Sequence, residues 1–198
     1  NCRGPLSVSQ TIAVSPGQLG TTTQGGTVTS GSAFFWPGVV FDVSVTNPQG
    51  ISICSFSLPL RSNSGDVDCD FYITDGSYVG KDSAPLQWSL GSIAFGPVVN
   101  SQTNGVTMTN VPLQNAVYLP PGNYGIAIWV NDFFGNNIDL ITTTGGSQPY
   151  ANADLIINPN PAAAPGIART DWFSGTAIAN QSANVQLHYS QIGSTGEA

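Results

Sequence analysis

The residues of this chain that could do chemistry are acids, aromatics and cysteines. Asp66, Asp68 and Asp70 alternate along the chain, and Asp75 follows close behind. In an extended strand such alternation puts three carboxylates on one face. Like charges so placed repel unless they are solvated or bridged. Calcium, which takes several oxygen ligands, could bridge Asp66, Asp68 and Asp70. The spacing lacks the EF-hand pattern, so the competing reading is a wet, charged strand that resists edge pairing. No other cofactor is expected. The tryptophans Trp36, Trp88, Trp129 and Trp172 offer flat faces on which sugars stack. Trp129 alternates away from Tyr124, Ile126 and Ile128, so it could be exposed, and Trp172 sits in a loop-like stretch. In a layered β protein the same residues also serve as core.

Catalytic constellations are missing. His188 is the only histidine, on the outward phase of a strand that carries Val185, Leu187 and Tyr189. There is no Gly-x-Ser-x-Gly elbow to partner it, and no His or Cys cluster suits zinc. A glycosidase needs two carboxylates in a cleft, whereas most acids here fall on wet faces or turns. No catalytic residue is assigned, and the chain is not expected to be an enzyme.

The cysteines are Cys2, Cys54 and Cys69. Cys54 alternates with Phe56 and Leu58, and Cys69 with Val67 and Phe71. If the two strands form a simple hairpin around residues 61–65, Cys54 lies opposite Cys69 with both pointing inward. Directly opposite residues stand roughly 4.5–5.5 Å apart, within the span that a disulfide tolerates. A Cys54–Cys69 disulfide is therefore expected, against two buried thiols or a bridge to Cys2. Cys2 is then odd, and in an exported protein it is a candidate for an intermolecular bridge or an inert free thiol.

Composition narrows the class. Charged residues make up 8% of the chain, against about 25% in ordinary soluble domains. The basic residues are Arg3, Arg61, Lys81 and Arg169, and the net charge is −7. Four scattered cations cannot line a phosphate backbone, so nucleic acid is excluded as a partner. Anionic membranes are excluded for the same reason, and no apolar run approaches a membrane span. With no signal peptide read at Asn1, a mature, processed chain is the expectation.

The elements that must position these residues are strands. Period-two alternation, punctuated by Gly, Pro and Asn, recurs at Val39–Val45, Ile51–Leu60, Asp66–Thr74, Leu86–Leu90, Val106–Met108, Tyr124–Val130, Ile138–Thr143, Asp154–Ile157 and Ala183–Tyr189. With the stretch Leu6, Val8, Ile12 and Val14, that is about ten short strands. The expected fold is a single all-β domain over 1–198, an antiparallel β-sandwich or jelly roll. Residues 158–166 read as a long loop. Residues 1–15 carry a one-sided strand (Leu6, Val8, Ile12, Val14) that could add to a neighbouring copy's sheet. Asn180 heads the sequon Asn-Gln-Ser, a candidate glycosylation site.

Two segments carry a resemblance. Asp70-Phe-Tyr-Ile-Thr-Asp-Gly-Ser-Tyr-Val-Gly-Lys-Asp82, then Trp88-Ser-Leu-Gly-Ser92, and further on Leu119-Pro-Pro-Gly-Asn-Tyr-Gly125 are similar to bacterial exported β-sandwich domains. Those are the domains of PEP-CTERM and choice-of-anchor surface proteins. The resemblance covers residues 66–95 and 112–130, and it implies export, a cell-surface or matrix location and a sandwich, with no catalytic residues. The start of the chain and the part after Asn136 do not match the pattern.

Two function classes follow. The first is a structural subunit of an extracellular or cell-surface filament, pilus, matrix or shell, partnered by copies of itself. The second is a monomeric adhesive module that binds surface glycans.

Overall fold

The computed structural model describes residues 16–20, 27–31, 36–62, 66–97, 107–131, 138–144, 150–158, 167–178 and 181–191. The candidate assembly strand (Leu6, Val8, Ile12, Val14), Cys2 and Asn180 lie outside them. The described strands are β1 (Pro16–Gly20), β2 (Thr27–Gly31), β3 (Gly38–Val45), β4 (Ile51–Ser62), β5 (Asp66–Asp75), β6 (Ser89–Pro97), β7 (Thr107–Leu119), β8 (Gly122–Asn131), β9 (Ile138–Thr144), β10 (Tyr150–Ala151), β11 (Leu155–Asn158), β12 (Ile167–Arg169), β13 (Ala177–Ile178), β14 (Gln181–Ser182) and β15 (Gln186–Gln191). The chain is all-β, with no α-helix among the described residues. None of its described helical segments is long and apolar enough to cross a membrane.

The strands form one antiparallel sheet whose path runs β1-β15-β4-β7-β6-β5-β8-β3-β11-β10. At its middle, β6 meets β7 through the pair Ala94 and Leu113. The sheet curls over on itself there. Phe56 of β4 and Phe71 of β5 stack at 6.0 Å, although β7 and β6 separate their strands along the path. The enclosed core takes residues from β3 to β9, β11 and β15, among them Val39, Phe41 and Val43 from β3, Phe71 from β5, Ile126 and Ile128 from β8, Leu140 from β9 and Leu187 from β15. Burial of such faces is the main force holding a sheet of this kind together.

Several expectations need correction. Leu86 to Leu90 is not one strand. Pro85–Gln87 is a 3-10 turn, and β6 starts at Ser89. Proline fixes a turn-like φ at Pro85, and Leu86 is left exposed. Asn158 belongs to β11 rather than to a loop. The strands β1, β2, β10 and β12–β14 were not expected. Pro16-Gly17-Gln18-Leu19-Gly20 has no alternating pattern, and its partner β15 supplies the ladder.

The Cys54–Cys69 pairing is also corrected. Cys69 is a free, buried thiol, whereas Cys54 is disulfide-bonded. The hairpin assumption fails because the chain crosses over between these strands: β4 pairs with β7, β9 and β15, and β5 with β6 and β8. A bulge on β4 adds to this. Cys54 is the extra residue between Ile53 and Ser55, paired with Tyr189 and His188 respectively. Ile51 and Ile53 point inward before it, and Phe56, Leu58 and Leu60 after it. One extra residue swaps the faces, so Cys54 leaves the core face, its Sγ 3.2 Å from the His188 carbonyl oxygen. Burial, then the charges of Asp68 and Asp70, push the Cys69 thiol well up, which leaves it inert.

The two ends of the sheet path are tied together by Asp154. Its carboxylate accepts hydrogen bonds from Asn47 Nδ2 at 2.8 Å, Gln191 Nε2 at 2.7 Å and Tyr189 OH at 3.1 Å. Asn152 closes the network, donating to Tyr189 OH at 2.7 Å. Burial alone would raise the Asp154 pKa, but the bonds from Gln191, Asn47 and Tyr189 outweigh it and the net shift is downward. A depressed acid stabilises the fold above its unfolded pKa, and that contribution is lost as pH falls through the folded value. Asp154→Ala is therefore expected to cost about 2 kcal/mol at neutral pH. Urea unfolding of the two proteins should show the gap closing as pH drops below the ordinary carboxylate range.

Candidate functional site

The strands β3, β8 and β5 are covered on both faces. Their outer side carries Val40, Tyr72, Ala127 and Trp129, which pack with Tyr78, Trp88 and Phe173 into a second apolar cluster. The segment 76–88 supplies Tyr78 and Trp88, and Trp88 Nε1 donates to the Lys81 carbonyl at 2.9 Å. Phe173 arrives on the turn 170–176 and meets Trp129 edge-to-face at 5.0 Å and Tyr72 at 5.4 Å. Trp129 does face away from the main core, as its alternation requires, yet it is fully buried. Two connecting segments cover it, which alternation cannot reveal.

The turn 170–176 is tightly made. Thr170 N–H donates to the Thr176 carbonyl at 3.1 Å, and Gly175 N–H to the Asp171 carbonyl at 3.0 Å. Arg169 links it to the other covering segment. Its Nη1 donates to Asp82 Oδ2 at 2.5 Å and its Nη2 to the Gly175 carbonyl. With Phe173 anchored inward, the adjacent Trp172 is turned out and stays 41% exposed, its ring edge-on to Tyr72 at 6.0 Å.

This geometry makes a pocket of about 330 Å³ lined by Trp36, Asp70, Asp171, Trp172 and Ser174. That is near the lower end of small-molecule sites. Trp36 is held from its backbone, its N–H donating to Asp171 Oδ1 at 2.8 Å. Ser174 Oγ donates to the other Asp171 oxygen at 3.3 Å. Asp70 comes from the outer face of β5. Burial, then the neighbouring charge of Asp68, raises its pKa. Asp68 is raised by burial, opposed by a bond from the Cys69 backbone.

Two sequence candidates thus meet: the acidic face of β5 and the loop tryptophan Trp172 share one pocket through Asp70. Trp36 is among the tryptophans the sequence offers for stacking, whereas Asp171 carries no sequence signal because it sits in a short turn. Asp66, Asp68 and Asp70 do share a face, but along an extended strand alternate residues stand about 7 Å apart. Among the described residues no group of three or more His, Cys, Asp or Glu side chains could hold a metal ion, so calcium gains no support there. His188 is half-buried, with Nε2 2.7 Å from Ser57 Oγ, and burial lowers its pKa.

A larger cavity of about 520 Å³, whose lining includes Lys81, Tyr118 and Tyr124, offers less chemistry. Lys81 Nζ already donates to the Asp75 carbonyl and to Thr74 Oγ1. The hydroxyls of Tyr118 and Tyr124 donate to the Gln49 and Pro120 carbonyls. Segments 70–82 and 119–125 lie beside it, and their residues do structural work. Ser77 Oγ and Tyr78 N–H both donate to Asp42, at 2.5 and 2.7 Å. A Cβ on Gly125 would stand 2.7 Å from Thr74 Cγ2 and 3.0 Å from Tyr78 N. Neither a protein-family model nor a curated protein matches the chain.

Proposed function

We propose that this chain is a non-enzymatic, extracellular or cell-surface β-sandwich module that holds a carbohydrate in the outer pocket. The observation that carries the proposal is the pairing of Trp36 and Trp172 with Asp70, Asp171 and Ser174 around one cavity. Sugar sites combine aromatic faces for the C–H side of the ring with a few placed acceptors for its hydroxyls. The scarcity of charge and the disulfide at Cys54 favour an oxidising, external compartment. Curling of the sheet around one core favours the sandwich reading. Two carboxylates in a cleft also suit a glycosidase. Here, however, Asp171 is engaged by Trp36 and Ser174, which favours a positioning role over a reacting one.

A glycan array probed with the purified protein tests the proposal, followed by calorimetry on the ligands found. Trp172→Ala is expected to weaken binding about tenfold or more, the scale of losing one stacked aromatic anchor. Because Trp172 is partly exposed, the melting temperature should move little. No binding to any glycan, or release of reducing ends from a bound one, would reject the proposal.

A second reading, a subunit of a self-assembling filament, matrix or shell, is favoured by Leu90 and Phe95. Both are exposed apolar side chains on β6, paired opposite Tyr72 and Asp68. Light scattering with and without reductant tests it. Stable large particles support assembly, and a monomer of 20.5 kDa under both conditions rejects it.

A further inference from the structure

We infer that the outer pocket is built for a cationic sugar, an amino sugar with a free ammonium group, and not for a neutral one. The inference rests on reading the pocket as a sugar site. Among the described residues the lining holds two indoles, two carboxylates and one hydroxyl, and no basic side chain. Its donors are the Ser174 hydroxyl and the two indole N–H groups, whereas its charged groups among the described residues are the carboxylates of Asp70 and Asp171. An ammonium offers the two carboxylates donors and a counter-charge together, and indole faces attract cations as well as C–H groups.

The two acids differ in how they are held. Asp171 is aimed by the Trp36 N–H. Asp70 has no hydrogen-bond partner among the described residues, and it sits beside the charge of Asp68 in a half-buried place. A ligand cation would relieve both its desolvation and that repulsion.

The protein's own described cations are engaged elsewhere. Arg61 pairs with Asp139, Arg169 with Asp82, and Lys81 is bonded to the Asp75 carbonyl. The acidic face continues from Asp70 to Asp68 and Asp66 on β5, so a second ammonium on a polymer would also find negative potential there. A lysine side chain could satisfy the charge, but it presents no flat C–H face to the indoles, which is why the sugar is preferred over a basic peptide.

The test is calorimetric titration of the full chain at low salt with three probes of equal length. These are a β-linked glucosamine oligomer, its fully N-acetylated counterpart and an oligolysine. The glucosamine oligomer is expected to bind about tenfold or more tighter than the acetylated one. Asp70→Asn and Asp171→Asn should abolish that preference. The amide of Asp171→Asn keeps an acceptor for the Trp36 N–H, so thermal melts should confirm an intact fold. Trp172→Ala should weaken both sugars. Equal binding of the two sugars would overturn the inference and leave the sugar reading standing. Binding of neither sugar would overturn both. Oligolysine binding tighter than glucosamine would overturn the inference in favour of a basic peptide.

Discussion

Replacing Gly175 by alanine is expected to open the turn 170–176 and lower the melting temperature by roughly 10 °C, the scale of a 3 kcal/mol loss in a chain this long. A Cβ there would stand 2.2 Å from both the Asp171 backbone nitrogen and its carbonyl oxygen. Backbone atoms cannot rotate away as a side-chain tip can. The turn must give up the bonds from Gly175 N–H to the Asp171 and Trp172 carbonyls, both 3.0 Å. Asp171, Trp172, Phe173 and Ser174 all ride on this turn, so the effect reaches the pocket as well as stability. Near-ultraviolet circular dichroism should lose the signal of the Trp129–Phe173–Tyr72 cluster, and tryptophan emission should shift red. A variant with unchanged melting and unchanged spectra would show that the turn is more adaptable than its hydrogen bonds imply.

The second large effect is expected at the Arg169–Asp82 pair. The Arg169 side chain is 8% exposed, and Asp82 is its only carboxylate partner among the described residues. Among the described residues Arg169 Nε has no hydrogen-bond partner, so the guanidinium carries a donor that none of them satisfies. Asp82→Ala would leave the buried cation without a counter-charge, at a cost of about 3 kcal/mol or more. The pair also joins the segment 76–88 to the turn 170–176, the two pieces that cover Trp129. Asp82→Ala combined with Arg169→Met should recover much of the loss, because an apolar pair carries no desolvation penalty. Chemical denaturation of the single and double variants measures both. If the double variant is no more stable than the single, the cost lies in lost packing and not in the stranded charge.

What the sequence alone determined was the local layer of this protein. Alternation placed β3, β4, β5, β8, β9 and β11, because a half-buried strand must present apolar side chains at period two. Alternation also identified which face Asp70 and Trp129 occupy. The tertiary structure alone decided which strands are neighbours, and it therefore decided the cysteines. A hairpin and a crossover have the same strand sequences, and only the long-range pairing of β4 with β7 and β15, and of β5 with β6 and β8, separates Cys54 from Cys69. It also decided the pocket. Trp36, Asp70 and Trp172 are far apart in the chain, and no periodic mark links the three. They meet because the anchoring of Phe173 against Trp129 folds a short turn down onto the outer face of β5. That contact is set by side-chain packing between distant segments, which no local pattern encodes.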